Sequence, residues 1–159
     1  MYVSKFGDWT RAGAVLQGLN VNLCPAFKAQ IEEDGNLFLK TMVSHIEAQD
    51  LPWIPLAKKT IELKGGRDTI YVDTGFLKNN LRVRRVRSVA NGMTLFIGAS
   101  AWQKTPDGVK FSDLMIWLEY GTDNAPPRPL IRPTWSEVEP IIKNNWRELL
   151  QDLIETGGK

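Results

Sequence analysis

Three features of the chain predict an α+β fold: an apolar stripe at helical spacing before residue 50, a second after residue 134, and two β-rich runs split by Asn-Gly between them. The expected architecture is two long helices, about 22–49 and 134–155, packed on a small antiparallel sheet centred on a hairpin (81–89, 93–99). A proline-rich extended arm (126–133) leads into the second helix. All 159 residues are expected in one domain, with a flap at 100–111 and a frayed C-terminal tail at 156–159.

Met1 to Phe6 alternates weakly, as a short edge strand does. Asp8 then stands where it would cap a short helix from Trp9 to about Leu19. Asn20 or Asn22 would cap the first long helix, with Pro25 in its opening turn. Phe27, Ile31, Phe38, Met42 and Ile46 trace one face of that helix, and Leu39 and Val43 widen it. Gly35 interrupts the pattern at a cost of about 1 kcal/mol and marks a place to kink. Asp50 to Leu56 is a proline-bracketed turn, Ala57 to Lys64 a short basic helix, and Gly75 to Asn80 one helical turn capped by Asp73 or Thr74. Ala90-Asn91-Gly92 joins the two strands. Leu114 to Tyr120 suits a strand or a helix, and a cap at Ser112 or Asp113 favours helix. In the last helix Val138, Ile142, Trp146, Leu149 and Leu153 form the apolar face, broadened by Ile141, Leu150 and Ile154. Ser136 and Glu139 have capping-box spacing, but Pro140 requires either a later start or a kinked first turn.

A net charge of +2 is too small to demand a nucleic acid or membrane partner, and no apolar run approaches the roughly 20 residues that span a bilayer. One cysteine, Cys24, excludes an internal disulfide framework, and one histidine, His45, excludes a histidine-rich metal site. Cys24 has no basic neighbour to activate it and reads as structural. His45 reads as a surface or boundary residue, because no nucleophile shares its helix face. No signal-peptide pattern opens the chain, so a reducing, cytoplasmic setting is expected. No catalytic residue, cofactor or metal site is expected, and an enzyme is not.

Two constellations remain. Arg82, Arg84, Arg85 and Arg87 crowd the first strand. Strict alternation would place Arg82 and Arg84 on one face and Arg85 and Arg87 on the other, which suits a solvated edge or pairing with a neighbouring subunit better than a one-sided DNA patch. The alternative reading is a basic nucleic-acid-binding module built on Arg82 to Arg87. The second constellation is Leu114 to Trp135, where prolines stiffen an arm that presents a surface. Trp117, Glu119, Tyr120, Arg128, Leu130, Arg132 and Trp135 are the candidate interface residues, with the two arginines projecting toward carboxylates of a neighbour.

The order of Val72-Asp-Thr-Gly-Phe-Leu77, the hairpin ending Phe96-Ile-Gly-Ala99, Leu118-Glu-Tyr-Gly-Thr122 and Pro127-Arg-Pro-Leu-Ile-Arg-Pro133 resembles the tail-completion, or neck, proteins of long-tailed bacteriophages. That group includes minor tail protein Z and the virion morphogenesis proteins. The resemblance implies a non-enzymatic virion part, put together in the host cytoplasm as a six-fold ring at the head-proximal end of the tail. It implies partners in the tail tube or tail terminator and the head–tail connector, no membrane, and DNA passing through the lumen without sequence-specific contact.

Overall fold

The computed structural model of the chain describes residues 9–72, 75–89, 92–98 and 102–156. The expected N-terminal edge strand, the Asp8 cap, the Asp73 or Thr74 cap, the Ala90-Asn91 part of the hairpin turn and the tail at 157–159 lie outside the described residues, as do the side chains of Cys24 and Arg85.

The fold is α+β, two long helices on a small two-stranded antiparallel sheet. Helix α1 spans Trp9–Ala48, α2 Lys58–Leu63 and α3 Phe76–Asn80; strands β1 (Arg82–Val89) and β2 (Gly92–Gly98) form the hairpin. Helix α4 (Phe111–Tyr120) and helix α5 (Ile131–Thr156) complete the chain. The two helices expected before residue 50 are one: α1 runs unbroken through Pro25, which is exposed. Pro25 stands on the solvent side of α1, so its ring displaces no core side chain where the helix continues past it.

Helices α1 and α5 pack antiparallel. Phe27 meets Trp146 edge-on at 5.2 Å and Phe38 meets Trp135 at 6.3 Å, so later residues of one face earlier residues of the other. Along the seam the Trp146 Nε1–H donates to Asp34 Oδ2 at 2.6 Å, and Gln30 donates to Asp34 Oδ1 at 3.0 Å. Asp34 is buried, and those two bonds offset the cost of taking a carboxylate out of water. His45 also belongs to the seam. It is 7% exposed, not a surface residue, with Nδ1 2.7 Å from Asp50 and Nε2 3.2 Å from a Glu137 oxygen that lies off the hydrogen-bond direction.

Gly35 lies inside α1. It lets the hairpin approach: a Cβ there would overlap the Leu95 Cδ2 methyl and stand 3.3 Å from Val83 Cγ1. The core then gathers Phe38, Met42 and Ile46 of α1 with Leu77, Leu81, Phe111, Leu130 and Val138, and Trp53, Ile70 and Tyr71 extend it beneath the proline-bracketed turn.

Helix α5 begins at Ile131 rather than near 134, and Pro140 sits inside it without breaking it. Ser136 is a helical residue whose hydroxyl donates to the Arg132 carbonyl, so the Ser136–Glu139 pair is not a cap. In α4 the cap position is Lys110, with no side-chain bond, and Ser112 and Asp113 fall in the first turn. The expected flap forms a small turn of its own, closed by the Lys104–Lys110 bridge.

Candidate functional site

The segment from Glu119 to Trp135 joins α4 to α5 and is held at several points along its length. Gly121 ends α4 in the left-handed region at φ 79°. A Cβ at this glycine would stand 2.8 Å from both the Ala125 carbonyl oxygen and the Pro127 nitrogen, so only glycine admits the returning chain. Thr122 and Ala125 close the turn between them.

Glu119, two residues earlier, is 4% exposed. Its Oε2 accepts the backbone N–H groups of Leu130 at 2.8 Å and Ile131 at 2.9 Å, and its Oε1 accepts that of Arg132 at 3.1 Å. These are the orphan donors that open α5, and the next residue, Pro133, has no N–H to satisfy. One carboxylate from eleven residues upstream thus caps the helix and meets the positive end of its dipole. The Glu119-Tyr-Gly-Thr122 motif acquires a physical meaning here: an anion for the helix, a glycine for the return, and a threonine to close the turn.

The arm between is an internal brace. Arg128 is 7% exposed. Its Nε donates to the Ile54 carbonyl at 2.7 Å and its Nη2 to the Pro55 carbonyl at 3.1 Å. Its backbone N–H donates to Leu118, and its carbonyl accepts the Tyr71 hydroxyl at 2.5 Å. The Trp53 indole N–H reaches the neighbouring Pro129 carbonyl at 2.6 Å. Tyr71 is therefore largely withdrawn from water, with its hydroxyl bonded inside the subunit. Burial raises the pKa of its phenol well above the ordinary tyrosine range, the Glu119 charge raises it further, and Arg128 opposes them.

Of the seven residues expected at an interface, three turn inward. Glu119 and Arg128 are hydrogen-bonded within the subunit and Leu130 is fully buried in the core, which corrects the expectation that Arg128 projects toward a neighbour. The arm expected over 126–133 is extended only to Leu130, since α5 begins at Ile131, and its Arg128 and Pro129 carbonyls face Tyr71 and Trp53 rather than solvent. Sequence spacing carries no sign of those partners, which come from 57 to 76 residues away.

The other four lie on the outside. Tyr120 is 64% exposed, with Trp117 and Trp135 close to half exposed. The Arg132 guanidinium stacks 4.7 Å from the Tyr120 ring centroid and reaches Glu119 Oε1 at 3.6 Å. Ile116 and Ile131, not singled out by the sequence, are exposed on the same two helices. A cleft of about 570 Å³ opens beside Ile131, walled by Phe111 and Met115 of α4, Phe38 and Met42 of α1, and Arg84 and Phe96 of the hairpin. The arrangement offers apolar area on a rigid frame. Among the described residues no cluster of histidine, cysteine, aspartate and glutamate can hold a metal ion, and no helix is long and apolar enough to cross a membrane.

Comparison of the chain with protein-family models, with curated proteins and with solved structures finds no match.

Proposed function

We propose that this chain is a structural subunit of a tailed-bacteriophage virion, assembling as a ring at the head-proximal end of the tail to complete the tail and support head–tail joining. The observation that carries the reading is the Glu119 junction. It fixes the angle between α4 and α5 while leaving Ile116, Tyr120, Ile131 and Trp135 exposed around it. A rigid surface of this kind loses little conformational freedom on association, and large aromatic residues at its centre are the usual anchors. The motif order set out above supplies the phage context and the six-fold expectation. The partners on this reading are further copies of the chain, the tail tube or tail terminator, and the connector.

Mass photometry and negative-stain microscopy of the purified chain, alone and with tail tubes or connectors, test it. Rings, alone or seeded on a tube end, are expected. A protein that stays monomeric and never joins tubes or connectors would sink the proposal.

A further inference from the structure

The register of the hairpin collects its arginines. In an antiparallel pair, residues directly opposite one another share a face of the sheet. Arg82 pairs with Gly98, Arg84 with Phe96 and Arg87 with Thr94. Gly98, Phe96 and Thr94 are alternate residues of β2, so all three lie on one face and the three arginines lie there with them. The agent is a bulge between Arg84 and Arg87, where two residues of β1 stand opposite Leu95 alone. Without that extra residue Arg87 would point to the other side. The split expected from strict alternation is thereby corrected.

Burial agrees with the register. Val83, Leu95 and Ile97, on the inner face, are half-buried, with Val83 and Leu95 against Gly35 of α1. Arg82, Arg84, Arg87 and Thr94 are exposed, and Phe96 is 54% exposed between them. Among the described residues no carboxylate pairs with any of the three arginines; Arg82 spends one donor on the Leu81 carbonyl. No acidic residue occurs anywhere between Leu81 and Pro106.

We propose that the outer face of the hairpin binds the phosphodiester backbone of a nucleic acid, with Arg82, Arg84 and Arg87 contacting phosphates and Phe96 as the apolar platform among them. Alternate strand positions repeat every ~6.8 Å, giving a regular row of cations for a regularly charged polymer. Guanidinium groups match phosphate bidentately, and an exposed ring amid them suits a base or sugar face. Contacts to phosphates position a protein on the polymer and carry no sequence information of their own. The inference stands on the hairpin alone and not on ring assembly.

Fluorescence anisotropy of the full chain with labelled duplex DNA and with single-stranded DNA, titrated with salt, tests it. Three phosphate contacts predict a slope of log affinity against log salt near −2.7 for duplex and near −2.1 for single strands. Changing Arg84→Ala or Arg87→Ala should each flatten the slope by about one contact, and the triple change with Arg82→Ala should remove binding at low salt. These residues are exposed, so circular dichroism should show every variant folded. Phe96→Ala should weaken single-strand binding at least fivefold if bases stack on it; loss on single strands alone assigns the stripe to unpaired DNA, and tighter binding to duplex assigns it to duplex. No binding of either at low salt, a slope unchanged in the triple variant, or polyglutamate bound as tightly as DNA would each overturn the proposal, the last in favour of an acidic protein partner.

Discussion

Glu119 alone accepts three backbone N–H groups at the start of α5. Charge-assisted bonds to backbone N–H groups contribute about 1.5–3 kcal/mol each, and a buried carboxylate without them would be strongly unfavourable. Glu119→Gln keeps the shape but places an amide NH₂ against donors, so a loss of about 2–4 kcal/mol is expected. Urea unfolding measures it; a loss below about 0.5 kcal/mol would show that α5 is held by packing alone. Tyr71 sets a pH limit at the same junction. Below the ordinary tyrosine pKa of about 10 the phenol is neutral folded and unfolded, and it contributes no pH dependence. Above it the unfolded chain releases the proton while the folded chain retains it, so stability falls, by up to about 1.4 kcal/mol per pH unit, until the folded group itself titrates. Unfolding midpoints at about pH 8 and about pH 11 should therefore converge in Tyr71→Phe relative to the native chain, whose other titrating groups supply the remaining change.

At the scale of elements, Gly35 shows how helix propensity and packing oppose each other. Gly35→Ala gains up to about 1 kcal/mol of propensity, yet its methyl must displace Leu95. Overpacking costs about 1–3 kcal/mol, so a net loss near 1 kcal/mol is expected. Leu95→Ala in the same chain should recover at least about 0.5 kcal/mol of that loss as a coupling term in a double-mutant cycle. Additive effects would mean that the hairpin does not press on α1 at this glycine. Gly35 also marks the boundary of what the sequence could disclose. The stripe Phe38, Met42, Ile46 and the face through Val138 and Ile142 were readable because helical periodicity is local. The hairpin was readable from Asn91-Gly92 between apolar runs. Three features escaped because their causes are not local: the close approach over Gly35, the capture of the α5 N-terminus by Glu119, and the bulge that returns Arg87 to the face of Arg84. Pro25 and Pro140 misled for the opposite reason: each stands in a helix that runs through it, and at Pro140 the local rule against proline was outweighed by the packing of Val138 and Ile142 on either side.

For the whole molecule, the same junction separates two kinds of arginine, and the separation tests how assembly depends on the fold. Arg128 is inside, holding the Ile54 and Pro55 carbonyls, while Arg132 is outside, stacked on Tyr120. Arg128→Ala leaves those carbonyls unpaired and opens a void beneath the arm, so about 2–4 kcal/mol of stability should be lost. Arg132→Ala gives up an exposed contact and should change stability by less than about 1 kcal/mol. A variant that weakens assembly by weakening the subunit therefore carries no information about the interface, and the informative changes are those on the outer side. Ile116→Ser with Tyr120→Ser removes exposed apolar area, touches none of the Glu119 bonds, and should leave the melting temperature nearly unchanged. If the chain assembles as proposed, loss of two anchors of hot-spot size corresponds to at least a tenfold drop in association between copies, or between the chain and a tail-tube end. Sedimentation velocity beside a thermal melt reads both quantities on one sample. Unchanged association with unchanged stability would clear Ile116 and Tyr120 of any role in assembly, and the next residue to change would be Trp117, which lines a second cleft of about 570 Å³ with Leu118 and Arg128.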